Sequence, residues 1–222
     1  MHMENFMKHL VIITFLSLLF SAAQATDIDP GIDFLSKEEI KSLLGDYPVL
    51  GTISGQSDLD VLLEYQNNRT KEECEYAANQ DSVSLESLFV NNDGPLSKRE
   101  ARRLKIRLAF LYAEAGFNIL KAKNLYERPR PYDSHPELEP CIPKETSFSY
   151  PSGHTALGRA LARSLSEIYP ERAALFMKRS NEISENRIIG GVHYPTDVVA
   201  GKILGDEIAD VIIKSKAFDT LR

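Results

Sequence analysis

The sequence predicts an all-α protein built as a single domain. Three Ser/Thr-x-x-Glu capping boxes, at residues 36–39, 70–73 and 97–100, stand just ahead of apolar residues at helical spacing. Alternating patterns typical of strands are scarce, and the chain contains no internal repeat. At 222 residues the chain is long enough to bury one sizeable core.

The capping boxes and the apolar periodicity place the helices along the chain. Helices are expected to begin near residues 37, 71 and 98 and to cover 58–67, 82–91, 154–168, 171–187 and 196–214. The helix from residue 98 is predicted to end near Lys121, and Pro195 suits the first turn of the last helix. Residues 26–35 and 129–150 are the long irregular stretches.

The first 25 residues have the features of a secretory signal peptide. Lys8 precedes an apolar run over residues 10–20, and residues 23–25 form an Ala-x-Ala cleavage site. Cleavage after Ala25 would leave residues 26–222 as one domain in the periplasm or outside the cell, and a retained anchor is the alternative. No later segment approaches 18 apolar residues without charges, so we expect no stable membrane insertion.

Cys74 and Cys141 are the only cysteines. An even pair in an exported protein predicts a disulfide, which would close a loop of about 68 residues and contribute about 4 kcal/mol in the chain-entropy model. Two buried free thiols are the alternative.

The charge balance narrows the classes of partner. The chain carries 32 acidic and 26 basic residues, a net charge of −6. Because nucleic-acid binding depends on neutralising phosphates with clustered cations, an acidic chain is a poor nucleic-acid binder. The cations described next are better explained by one local anion site.

Lys121 and Arg128 can converge on one anion. They lie seven residues apart, which is two helical turns, so on a continuous helix they share a face. Pro129 follows Arg128, and a residue before proline avoids the helical region, so Arg128 is expected where the helix ends. There a guanidinium can hold two phosphate oxygens while Lys121 supplies a point charge.

Ser152, Gly153 and His154 stand at the predicted start of a helix. A helix N-terminus presents unpaired N–H groups to an anion, and Gly153 lets the backbone approach closely. Further along, His193 and Asp197 are spaced i, i+4 behind Arg187. The carboxylate can accept from Nδ1 of the histidine and leave Nε2 free to attack, as in an oriented nucleophile.

Residues 121–129, 151–154 and 187–197 resemble the three signature motifs of the type 2 phosphatidic acid phosphatase (PAP2) superfamily, which includes the vanadium haloperoxidases. Within it the chain resembles the bacterial class A non-specific acid phosphatases. The resemblance implies a helical bundle of the PAP2 and haloperoxidase type. One departure is Asn186, where the family usually has serine; we expect altered detail around the phosphate and retained activity.

The resemblance also implies a role for each motif residue. His193 would attack phosphorus and form a phosphohistidine, Asp197 would fix its tautomer, and His154 would protonate the leaving oxygen and later activate water. The remaining motif residues would bind the phosphoryl oxygens: Lys121, Arg128, Ser152, Gly153 and Arg187. Electrostatic stabilisation of this kind carries most of phosphoryl transfer.

The expected function is therefore an exported acid phosphatase that hydrolyses phosphate monoesters with phosphotransfer to alcohols as a side activity. Neither a metal nor another cofactor is expected, because arginines occupy the roles that metal cages play elsewhere. The alternatives are a vanadate-dependent haloperoxidase, a membrane-associated lipid phosphatase of the same superfamily, and a non-enzymatic phosphate-binding protein. A homo-oligomer is left open.

Overall fold

The computed structural model describes residues 35–48, 53–215 and 218. The proposed signal peptide lies outside these residues and stays a prediction. The described helices are α1 (Lys37–Leu44), α2 (Ile53–Asn68), α3 (Lys71–Ala78), α4 (Leu85–Phe89), α5 (Lys98–Arg107), α6 (Ala109–Tyr126), α7 (Pro131–Ser134), α8 (Gly153–Ile168), α9 (Ala173–Ile189) and α10 (Pro195–Lys214). A 3-10 turn at Pro170–Arg172 precedes α9, and this part of the chain contains no strand. The all-α prediction is confirmed.

The three predicted capping boxes start three helices. Ser36, Thr70 and Ser97 each accept a hydrogen bond from the backbone N–H three residues on, at 3.1, 3.1 and 3.3 Å. In each case the glutamate at that position bonds back to the cap residue. Because both orphan donors are satisfied locally, the start of each helix is encoded within four residues of sequence.

The prediction of one helix from residue 98 to Lys121 is wrong. Leu108, with φ −89° and ψ 2°, separates α5 from α6. The hydrogen bonds continue through the break, since Leu108 N donates to Leu104 O at 2.8 Å and Tyr112 N donates to Leu108 O at 3.0 Å. Leu104 and Leu108, on either side of the first of these hydrogen bonds, are both buried in the core. Neither glycine nor proline marks the break, so the sequence carries no signal for it.

Helix α8 lies at the centre of the described bundle and packs most extensively on α9 and α10. Two glycines of α10 permit this contact. A Cβ at Gly205 would lie 2.4 Å from Ala156 O, and a Cβ at Gly201 would lie 2.7 Å from Ser152 O. Any side chain at these positions would push the two helices apart. The close packing brings the N-terminus of α8 against the N-terminus of α10, where the motif residues lie.

A disulfide holds the loop between α7 and α8 (residues 135–152) against α3. Cys74 and Cys141 are bonded at 2.04 Å with a sequence separation of 67, which confirms the predicted pairing. Cys141 N also donates to Gly190 O at 3.1 Å, so the loop is fixed to the end of α9 as well. Among the described residues, no helix is both long and apolar enough to cross a membrane.

Candidate active site

His193 and Asp197 form the centre of the site. The histidine lies in the loop between α9 and α10, the aspartate lies in the first turn of α10, and both are fully buried. His193 Nδ1 is 3.2 Å from Asp197 Oδ2. On its other side, His193 Nε2 is 3.0 Å from Arg130 Nη1. Because a guanidinium can only donate, Nε2 carries the lone pair and Nδ1 carries the proton.

Asp197 is fixed by donors on every side. Its carboxylate accepts from Arg128 Nη1 at 2.6 Å, from Ser149 Oγ at 2.5 Å and from Tyr194 N at 2.9 Å. Burial raises the pKa of Asp197, and Arg128 is the strongest of the groups that oppose this rise. With its carboxylate held by three donors besides His193, Asp197 can orient the imidazole but has little freedom to move.

Arg128 lies behind the aspartate, on the side away from the ring nitrogen that is free to react. Its guanidinium bridges Asp197 and Asp58, whose Oδ2 accepts from Nη2 at 2.9 Å, and it stacks over the ring of Tyr194 at 3.9 Å. Both carboxylates are buried. Arg128 is thus placed at the site, as the sequence predicts, but as a support for Asp197 and not as a ligand for an anion.

Lys121 is not part of the cluster. Its Nζ donates to Leu35 O at 2.6 Å, near the N-terminal end of the described chain. Two residues on, Lys123 and Arg130 repeat the seven-residue spacing, and Pro131 follows Arg130. Helix α6 ends at Tyr126, so neither arginine is helical. The side-chain contacts described next show that the second pair, Lys123 and Arg130, lies at the site. Spacing alone does not single out Lys123 and Arg130, because Lys121 and Arg128 satisfy the same spacing.

Arg130 is the cation in direct contact with the reactive histidine. Besides His193 it donates to Val192 O at 2.8 Å, to Ser147 O at 2.7 Å and to Glu145 Oε2 at 2.7 Å. Its side chain is only 2% exposed. These contacts fix the plane of the guanidinium beside Nε2, where an incoming phosphoryl group would need donors.

Lys123 is buried beneath the start of α8. Its Nζ donates to Phe148 O, and a Cβ at Gly153 would lie 3.5 Å from Lys123 Cε. Burial, with the neighbouring Arg130, lowers the pKa of Lys123 to about 7. The negative charge around Lys123 is too small to stabilise its ammonium form fully, and a bound anion would supply more.

Several buried donors at the site have no hydrogen-bond partner among the residues that the structure describes. They are Oγ of Ser152 and Nε and Nη1 of Arg187. Arg187 is fully buried; its Nη2 donates to Ala77 O at 2.9 Å, and its Nη1 lies 3.7 Å from Asp81 Oδ1. Unpaired buried donors are costly and rare, and Gly153 begins a helix whose first N–H groups lack intrahelical acceptors. Together these groups fit an anion.

His154 stands at the first turn of α8, nine-tenths buried. Its Nε2 is 2.9 Å from Asp81 O, so the neutral ring carries its proton there, and Nδ1 lies 3.5 Å from Glu145 Oε1. Burial, with the nearby charge of Arg187, lowers the pKa of His154 to about 4. Burial, with Arg130 and Lys123, likewise lowers the pKa of His193 well below its usual value.

Asn186 does not point at the anion pocket. Its side-chain amide and that of Gln80 are 2.7 Å apart, and both are buried. Asn186 therefore links α9 to the segment after α3.

One group of side chains could present three ligand atoms to a cation. The donor atoms of Asp81, Glu145 and His154 lie within 4.8 Å of one another. Arg130 bonds to one of these carboxylates and Arg187 faces the other. Because each guanidinium repels a cation, the charges around this group favour an anion over a metal ion.

A buried histidine with its lone pair facing arginine, near buried donors without described partners, fits an anionic ligand. The model of the PAP2 superfamily matches residues 104–216, just over half of the 222-residue chain, and the chain belongs to this superfamily. A non-specific acid phosphatase of Providencia stuartii is 29% identical over 219 residues, covering 89% of this chain and 88% of the relative. A non-specific acid phosphatase of Salmonella typhimurium is 43% identical over 90 residues, covering 38% and 35%.

Solved structures give the same fold. A bacterial vanadium-dependent iodoperoxidase superposes with a TM-score of 0.62 at 13% identity, covering 87% of this chain and 63% of that chain. A transmembrane PAP2 phosphatidylglycerolphosphate phosphatase of Bacillus subtilis superposes with a TM-score of 0.55 at 20% identity, covering 77% and 89%. At these identities the likeness concerns the fold alone. The sequence relatives and the superfamily support a phosphatase function.

Proposed function

We propose that the protein hydrolyses phosphate monoesters through a phosphohistidine formed at His193. The observation that carries the proposal is the fixed tautomer of this buried ring. Nδ1 faces Asp197 at 3.2 Å and Nε2 faces the donor of Arg130 at 3.0 Å. An unprotonated Nε2 surrounded by donors is a nucleophile placed where negative charge would be bound.

In the first step Nε2 of His193 attacks phosphorus, and the bond from phosphorus to the ester oxygen breaks. The leaving oxygen takes the Nδ1 proton of the His154 imidazolium, whose Nε2–H stays bonded to Asp81 O. The three remaining phosphoryl oxygens accept from the donors that face the pocket, and those donors are Lys123, Arg130, Arg187, Ser152 and the N–H of Gly153. Asp197 accepts from Nδ1 throughout and stabilises the charge that develops on the ring.

In the second step neutral His154 removes a proton from water as the water attacks phosphorus. The bond from phosphorus to Nε2 of His193 breaks, and inorganic phosphate leaves with both histidines restored. An alcohol can replace water in this step, so phosphotransfer to alcohols is part of the proposal. The relatives named as non-specific acid phosphatases support monoester substrates of broad identity. The apolar run and Ala-x-Ala site in residues 1–25 support export to the periplasm.

The purified protein should be assayed against nitrophenyl phosphate, an alkyl phosphate and phosphatidic acid in detergent, each with and without EDTA. We expect hydrolysis of both soluble monoesters and no loss on chelation. Parallel samples with vanadate, peroxide and iodide test the haloperoxidase alternative that the fold also allows. Halide oxidation without ester hydrolysis, hydrolysis of the lipid alone, or loss on chelation restored by a divalent ion would overturn the proposal.

A further inference from the structure

A carboxylate contacts one of the cations proposed to bind the phosphoryl group and lies beside the proposed acid. Glu145 Oε2 accepts from Arg130 Nη2 at 2.7 Å, on the same guanidinium that faces the nucleophile. Its other oxygen, Oε1, is buried, lies 3.5 Å from His154 Nδ1 and has no hydrogen-bond partner in the described part of the chain. With one carboxylate, Glu145 thus contacts Arg130 and approaches His154, the cation and the acid that the proposed reaction needs for its substrate.

The backbone beneath this carboxylate is fixed, while its side chain reaches solvent. Tyr132 Oη donates to Glu145 O at 2.7 Å and accepts from Glu145 N at 2.9 Å. The disulfide at Cys141 holds the same loop four residues earlier. The Glu145 side chain is a quarter exposed, so a path to solvent exists. Rotation about the side-chain bonds can move the carboxylate while the loop keeps its place.

Resting on the function proposed above, we propose that Glu145 is an internal competitor for the phosphoryl group. Its carboxylate occupies the anion pocket of the free protein, and an incoming phosphate must either displace it or bind after it has taken up a proton. Glu145 thereby makes the binding of phosphate depend on pH.

The charges around Glu145 set the pH dependence. The groups that face it from the packed elements are Lys123, Arg130, Tyr132, Asp81, His154, Arg187 and His193. Burial disfavours its ionisation, but the neighbouring His154, Arg130, His193 and Lys123 outweigh burial and lower the pKa of Glu145 to about 2. A bound phosphate would share these cations and add a like charge, which raises the pKa. Phosphate binding is then linked to proton uptake, and its affinity falls as pH rises.

The test is phosphate binding to the full protein and to Glu145→Gln, which keeps the shape but not the charge. Calorimetry with inorganic phosphate, in buffers containing EDTA, should be run at several values between pH 4 and pH 8. We expect Glu145→Gln to bind phosphate more tightly near neutral pH, by about tenfold for each pKa unit of linkage. The ratio of the two dissociation constants should shrink as the pH is lowered. Phosphate's own ionisation cancels in this ratio.

Glu139→Gln is the matched control, because it removes one charge from the exposed surface of the same loop. It should bind phosphate like the unmodified protein. Glu145→Ala guards against a folding defect specific to glutamine and should change affinity in the same direction, with melting temperatures recorded for all variants.

Three results would overturn the inference. Unchanged or weaker phosphate binding in both Glu145 variants would show that Glu145 does not compete with phosphate. An equal gain of phosphate affinity in Glu139→Gln would show that the change in affinity comes from the net charge of the protein. A loss of kcat on alkyl esters with unchanged phosphate affinity would instead make Glu145 a positioning partner of His154. If the unmodified protein neither binds phosphate nor hydrolyses any ester, the proposed function itself has failed, and this outcome is distinct from all three.

Discussion

Replacing Lys123 by methionine should make the protein more stable and much less active. The folded site holds this lysine with a pKa of about 7, against 10.5 for an ordinary lysine. That difference corresponds to about 5 kcal/mol of penalty on the charged form. Losing the hydrogen bond to Phe148 O and leaving this carbonyl unpaired costs about 1–3 kcal/mol. At pH 7 and below, Lys123→Met should therefore raise the free energy of unfolding by about 2–4 kcal/mol.

The sign of the pH dependence follows from the same lowered pKa. Between about pH 7 and pH 10.5 the unfolded chain binds a proton at Lys123 that the folded protein has released. Stability rises with pH wherever the unfolded state binds more protons. The unmodified protein should gain about 5 kcal/mol across this window, and Lys123→Met should lack that gain. The advantage of the variant should therefore shrink as pH rises and reverse before about pH 10.5, where only the lost hydrogen bond remains.

Activity should move in the opposite direction. Lys123→Met removes a buried cation next to the attacking histidine, and loss of one such donor typically lowers kcat by about 100- to 1,000-fold. Lys121→Met is the matched control on the same helix. It removes only the hydrogen bond to Leu35 O, so it should lower stability by about 1 kcal/mol and leave kcat/KM almost unchanged.

Urea denaturation across pH and steady-state hydrolysis of nitrophenyl phosphate measure both effects on the same samples. If Lys121→Met were the inactive variant and Lys123→Met the active one, the placement of Lys123, and not Lys121, at the site would be refuted. A loss of stability in Lys123→Met at pH 6 would refute the account of the buried charge.

Three further predictions follow from the contacts of the site. Arg128→Met leaves two buried carboxylates without their cation and should lower the free energy of unfolding by about 3–5 kcal/mol, measured by urea denaturation; a change under about 1 kcal/mol would contradict the bridging role. Because His154 must be protonated and has a pKa of about 4, kcat/KM for an alkyl phosphate should fall as pH rises above about 4. The fall in kcat should come at higher pH, since bound phosphate favours the imidazolium. Identical pH profiles of kcat/KM and kcat from pH 3 to pH 8 would contradict this prediction. Reduction of Cys74–Cys141, or the double change to serine, should lower stability by about 2–5 kcal/mol and lower activity because the loop loses its attachment; thermal denaturation and hydrolysis unaffected by reductant would show that the loop is held without the disulfide.

The features that the sequence predicted well are those encoded by local spacing. The capping boxes at Ser36, Thr70 and Ser97 start their helices within four residues, and the i, i+4 relation brings His193 and Asp197 together at the start of α10. In these cases the residues that interact are close in the chain, so their spacing determines their geometry.

The errors arise where spacing is ambiguous or where contacts are distant in sequence. Lys123 and Arg130 have the same spacing as the pair chosen from the sequence, and only the contacts of the side chains separate the two pairs. Glu145 could not be placed, because its position depends on a loop anchored by Tyr132 and by a disulfide to α3. No local pattern encodes such a contact.

The phosphoenzyme tests the central claim most directly. The unmodified protein and the His154→Ala and His193→Ala variants should be mixed with radiolabelled nitrophenyl phosphate, quenched within milliseconds in base, and digested for peptide mapping. We expect an acid-labile, base-stable label on His193 in the unmodified protein and a larger accumulation in His154→Ala, because nitrophenolate leaves without a proton donor while the water step is slowed. His193→Ala should carry no label. A label that persists in His193→Ala, or turnover of the unmodified protein with no labelled intermediate, would contradict the account.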